Sequence, residues 1–174
     1  MVKKIEPWFG FTEDKVFGMV MENKDFCKYL LEIIIPDLKI KKIDWLDKQV
    51  EINNLKRKNE AKEVRLDILV RDHEGRVFNI EMQITDQDDI GRRMRYYLSR
   101  IDLRYTLNKG KTYRNLKDAF ILFLCNFKPK KYDKFYESYH IYSDQDRAKI
   151  MNNGSTLKLI SEKELEKKML CIIK

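Results

Sequence analysis

Two carboxylates, Asp67 and Glu81, stand out in the stretch VRLDILVRDHEGRVFNIEMQ, Val64 to Gln83, which reads as two short strands joined by a tight turn. Carboxylate oxygens are what a hard divalent cation such as Mg²⁺ takes as ligands. Brought face to face without a compensating charge, they destabilise a sheet. Register decides whether they meet. In Asp72-His73-Glu74-Gly75-Arg76 the glycine tolerates the left-handed backbone that closes a three-residue hairpin loop. With His73-Glu74-Gly75 as that loop, Asp72 lies opposite Arg76, Asp67 opposite Glu81, Arg65 opposite Gln83 and Leu69 opposite Asn79. Alternation agrees. Val64, Leu66, Ile68 and Val70 share an apolar face with Phe78, Ile80, Met82 and Ile84, and Arg65, Asp67, Glu81 and Gln83 take the other face. A slip of one residue would mix the two faces. From spacing alone, a solvated charged face eased by a nearby Lys or Arg is the commoner arrangement, and a bound cation is the alternative.

The flanking elements must hold that hairpin. FTEDKVFGMVMENKDFCKYLLEIIIPD reads as two helices, roughly Glu13–Glu22 and Lys24–Ile35, with Thr12 as N-cap, Phe11 stapled to Val16, a weak point at Gly18 and Asn23, and Pro36 as the stop. IKKIDWL reads as a strand, and DKQVEINNLKRKNEAK as a polar, basic loop or mobile hairpin. TDQDDIGRRMRYYLSRIDLRYTLNKG reads as one long helix, capped by Asp86 or Asp88 and ended by Gly110. Its buried stripe is Ile90, Met94, Tyr97, Leu98, Ile101 and Tyr105. AFILFLCNF is a fully apolar, central strand, SYHIYS and STLKLI are further strands, and SEKELEKKMLCIIK is a final helix opened by a Ser161–Glu164 capping box. This order predicts an α/β domain with a mixed sheet.

The 174 residues suffice for one domain with a real core. A formal charge of +8 suits a polyanionic partner without proving one. Cys27, Cys125 and Cys171 are isolated among apolar neighbours and match no zinc or disulfide spacing, which points to buried thiols in a reducing cytoplasm. The charged start MVKKIEPWFG leads into no apolar run, so no signal peptide is expected, and the apolar stretches are too short to cross a bilayer, so no membrane partner is expected. No glycine-rich phosphate loop is present, so nothing supports ATP use. His73 reads as a solvated turn residue and His140 as structural.

Several motifs follow one another in order: Asp14-Lys15-Val16-Phe17, then KEVRLD with Lys62, Arg65, Leu66 and Asp67, then Ile80-Glu81-Met82-Gln83, Arg93-Met94-Arg95-Tyr96-Tyr97 and Gly110-Lys111-Thr112-Tyr113. From about Glu13 to at least Phe127 this series resembles the recombination-promoting nuclease and transposase branch of the PD-(D/E)xK nuclease superfamily. The resemblance implies a restriction-endonuclease-like core, a mixed central β-sheet flanked by helices, in a single domain (1–174) that is short or truncated beside other members. It implies Asp67 and Glu81 as catalytic metal ligands, with the Met82 carbonyl as a third oxygen, and Mg²⁺ (Mn²⁺ as an alternative) as cofactor. Gln83 departs from the superfamily pattern by standing where Lys is usual. As a neutral amide it orients water or phosphate, and the missing charge has to come from Lys62, Arg65 or the helix arginines. Asp14 is a further catalytic candidate, with a plain helix-start role at least as good a reading. Arg93, Arg100 and Arg104 lie on one side of the long helix; phosphate binding and simple solvation account for them about equally.

The reading is therefore a metal-dependent DNA endonuclease associated with recombination or transposition. Double-stranded DNA is the implied partner, and a homodimer is a possible assembly. The rival is a catalytically inactive nucleic-acid-binding or protein-interaction remnant of a transposase-like protein.

Overall fold

The computed structural model describes residues 14–52, 64–127 and 136–161. Helix α1 (Asp14–Met21) and helix α2 (Lys24–Ile34) are separated where the sequence weakens. Asn23 has left the helical conformation, and its side-chain oxygen accepts the N–H groups of Asp25 and Phe26 at 2.9 and 3.2 Å. The residue that breaks the run is thus the cap of the next helix. Cys27, Leu30, Leu31 and Ile34 of α2 are buried at helical spacing. The expected Thr12 cap and Phe11 staple lie outside the described residues.

Six strands follow: β1 (Ile43–Ile52), β2 (Val64–Asp72), β3 (Val77–Gln83), β4 (Ala119–Cys125), β5 (Tyr136–Tyr139) and β6 (Ser155–Ser161). They form one mixed sheet in the order β1-β2-β3-β4-β6-β5. β1, β2 and β3 are antiparallel, β3, β4 and β6 are parallel, and β5 closes the far edge antiparallel to β6. The mixed α/β architecture is the expected one. Two boundaries differ. Residues 47–52, read as loop, continue β1, where an edge position tolerates a polar sequence. SYHIYS is strand only as far as Tyr139, with an isolated bridge from Tyr142 to Ile150 beyond it. The expected final helix falls outside the described residues.

The hairpin register is as predicted: Ile68, Leu69, Val70 and Arg71 pair with Ile80, Asn79, Phe78 and Val77. Gly75 adopts φ +86°, and the Asp72 carboxylate accepts the N–H groups of Glu74 and Arg76, both at 2.9 Å. Ile84, expected in the core, is 52% exposed because β3 stops at Gln83.

Both faces of the sheet are covered. Ile68, Val70, Phe78, Ile80 and Met82 pack with α1 and α2. Leu69, Val77, Ile121 and Phe123 pack beneath helix α3 (Ile90–Ile101), whose Ile90, Met94 and Ile101 are buried. By alternation Asp67, Asn79, Glu81 and Gln83 belong to this second face. The face that spacing alone favoured as solvated is therefore roofed by a helix. α3 also differs at its ends. It starts after Asp89, without a side-chain cap, while Asp86 accepts the N–H of Asp88. At Asp102 it widens into a π-helical turn ending at Thr106, so Gly110 lies beyond it. Because β3 and β4 are parallel, α3 must carry the chain back along the sheet. Its first turns lie beside Gln83 and its far end beside the hairpin turn, as the Arg93–Gln83 and Arg71–Tyr105 hydrogen bonds record.

Cys27 and Cys125 are buried free thiols, both pushed up to about 12 by burial. Among the described residues no helix is long and apolar enough to cross a membrane.

Candidate active site

The pairing of β2 with β3 ends at Ile68–Ile80, and side chains take over beyond it. The N–H of Asp67 donates to Glu81 Oε1 at 3.1 Å, and the N–H of Met82 donates to Asp67 Oδ2 at 3.0 Å. Each carboxylate thus accepts a backbone donor from the other strand, which ties the two acids together where the ladder opens. Asn79, two residues before Glu81 on the same face, donates from Nδ2 to Glu81 Oε1 at 2.7 Å and to the Ile68 carbonyl at 3.3 Å.

Glu81 is only 3% exposed. Burial first, and the neighbouring Asp67 charge second, push its carboxyl up to about 8, against the hydrogen bonds from Asn79 and Asp67 and the weaker pull of Arg93. Without a cation, the site holds a proton that an exposed carboxylate would have released. Both hydrogen bonds to Glu81 fall on Oε1, leaving Oε2 without a donor among the described residues. The buried Oδ1 of Asn79 likewise has no hydrogen-bond partner. The described side chains here are rich in oxygen lone pairs, a donor set that fits a hard cation.

Gln83 is 7% exposed and engaged at both ends. Its Oε1 accepts a hydrogen bond from Arg93 Nη1, and its Nε2 donates to the Thr85 carbonyl at 2.7 Å. Arg93 Nη2 donates to the Tyr97 hydroxyl at 3.3 Å, and the guanidinium lies 5.2 Å from the Phe123 ring centroid and 5.6 Å from that of Tyr97. Arg93 therefore turns inward, toward the strand that carries Glu81 and Gln83. Arg104 is exposed over the Tyr105 ring, and Arg100 is half-buried. Asp14 opens α1 and Arg65 pairs with Glu51 of β1. The side chains of Asp14 and Arg65, and Lys62 altogether, lie outside the described residues.

Over residues 9–168 the chain matches the model of the PD-(D/E)XK nuclease family transposases. The chain belongs to this family. No curated protein and no solved structure matches it. In a PD-(D/E)XK nuclease family transposase the six-stranded mixed sheet flanked by helices is the restriction-endonuclease-like core, and membership ties the chain to nuclease or transposase-related chemistry. The sequence reading missed Asn79 as a partner of Glu81. Its signal was present in VFNIEMQ, where a lone amide precedes the acid by two residues and so shares its face.

Proposed function

We propose that this family member is a metal-dependent endonuclease that hydrolyses phosphodiester bonds in double-stranded DNA during recombination or transposition. The observation that carries the reading is the pairing of the buried Glu81 with the half-buried Asp67, each accepting a backbone N–H of the other strand where the hairpin ladder opens. Among the described residues no group of three or more His, Cys, Asp or Glu side chains assembles. Mg²⁺ nonetheless keeps several waters, so two carboxylates and a carbonyl form an adequate protein share. Asp67 and Glu81 would hold the ion. The Met82 carbonyl would join them, because a strand residue directs its C=O to the same edge as its N–H, and that N–H meets Asp67. When bound, a divalent cation polarises the phosphoryl oxygen and makes its bound water acidic enough to attack.

The chain's own residues supply the rest. Asn79 fixes one oxygen of Glu81 and leaves the other for the ion. Gln83 acts as a clamp on Arg93, and Arg93 returns to the site the positive charge that the usual lysine would carry. Two of the five guanidinium N–H groups are engaged by Gln83 and Tyr97, which leaves three for a phosphate oxygen. Buried thiols at Cys27 and Cys125 suit a reducing cytoplasm.

The test is nicking of supercoiled plasmid by the purified chain with Mg²⁺ or Mn²⁺, and with EDTA. Open-circular product with metal and none with EDTA is expected. No product under any metal would leave the inactive-remnant reading.

A further inference from the structure

The molecule carries a second polar concavity, away from the acids. A cavity of about 270 Å³ lies between the β2–β3 turn and the α3–β4 connection. Three cations line it: Arg71 from β2, and Lys111 and Lys117 from the connection. Among the described residues no acidic side chain does. Of the acids nearby in sequence, Asp118 lines a different cavity and three others are already occupied. Arg76 pairs with Asp72 at 2.6 Å and with Glu74 at 3.1 Å, and Asp102 accepts the Thr106 hydroxyl at 2.9 Å. The side-chain amides of Asn108 and Asn115 add hydrogen-bonding capacity to the wall.

Two of the cations are positioned by contacts. Arg71 donates from Nη2 to the Tyr105 carbonyl at 2.5 Å, which anchors the guanidinium across the cavity wall. The Lys117 stem packs on the hairpin turn so closely that a Cβ at Gly75 would stand 3.1 Å from its Cε. Among the described residues neither lysine's ammonium group has an ion pair. Asp67 and Arg71 share the α3 face of β2 and are four residues apart, about 13 Å at the strand rise.

We propose that this cavity binds a phosphate group, held by Arg71, Lys111 and Lys117. Three like charges around a small concavity repel one another until an anion joins them, and phosphate offers oxygens to a fork and two point charges together. The phosphate belongs either to a polynucleotide backbone or to a free phosphate compound. The proposal does not depend on the carboxylate pair being catalytic.

The test uses Lys111→Gln/Lys117→Gln, two exposed positions, with Lys111→Arg/Lys117→Arg as the charge-preserving control. A melt in chloride matching the unsubstituted protein confirms folding. Two binding experiments follow, both in EDTA so that no cleavage intervenes. In the first, inorganic phosphate replaces chloride at constant ionic strength. A rise of about 2–4 °C in Tm is expected for the unsubstituted protein and the Arg variant, and none for the Gln variant. In the second, fluorescence anisotropy follows a labelled duplex across salt concentrations. The Gln variant should bind several-fold more weakly, with a log–log salt slope smaller by about 1. A change in the second experiment assigns the phosphate to a polynucleotide. A change in the first alone assigns it to a free phosphate compound. If the Gln variant equals the unsubstituted protein in both, the site does not exist.

Discussion

At Gln83 the neutral amide touches a cation rather than replacing one. Gln83→Lys would set an ammonium against the Arg93 guanidinium that the amide now accepts from. A lower Tm and weaker cleavage are expected, with both recovered in Gln83→Lys/Arg93→Ala, where the charge simply returns to the strand. Thermal melts and plasmid nicking on the single and double variants check this. A double variant worse than either single one would show that the charge had not moved to Arg93. Gln83→Leu strands Arg93 Nη1 inside the site, and a loss of about 1–3 kcal/mol by urea denaturation is expected. The identities of these residues were legible in the sequence, but the direction of Arg93 was not. Arginine buries its stem readily, and nothing in a helical count says that Tyr97 and Phe123 would draw this one inward.

Among the elements, the hairpin was the most legible, because one glycine and two alternating runs fix turn and register together. Gly75→Ala tests that logic. The residue sits at φ +86° with Lys117 close by, so alanine should cost more than about 1 kcal/mol in equilibrium unfolding, since the strain exceeds the entropy it saves. An unchanged midpoint would mean the turn adapts freely. The second half of β1 was illegible because an edge strand needs no apolar alternation. The π-helical end of α3 was illegible because a widened turn keeps nearly the same apolar stripe. The roof over Asp67 and Glu81 was illegible for a related reason: α3 presents Met94 and Arg93 side by side to one sheet face, and only the β3–α3–β4 path reveals which face.

Across the whole molecule, the buried Glu81 carboxyl beside Asp67 links stability to pH. Glu81 keeps its proton up to about 8 when folded, against an ordinary value of 4.5. Between those values the unfolded chain binds fewer protons than the folded one, so stability falls as pH rises through that window. The Tm of the metal-free protein should therefore drop from about pH 5 to pH 8.5, an interval set by this linkage. Asp67→Asn, which keeps an acceptor for the Met82 N–H but removes the neighbouring charge, should flatten the decline and abolish cleavage. Melts across pH check both proteins. A Tm that climbs with pH in the unsubstituted chain would overturn the assignment of a proton to the pair.

Whether Asp67 and Glu81 form a cation site is decided by calorimetric titration of Mn²⁺ or Mg²⁺ at pH 7.5 in two buffers of different ionisation enthalpy. Metal binding to a protonated carboxyl must expel the proton. The unsubstituted chain should bind the ion with a heat that differs between the buffers by a fraction of a proton per ion, and Glu81→Gln should not bind it. Equal binding by Glu81→Gln, or none by either protein, would contradict a cation site there.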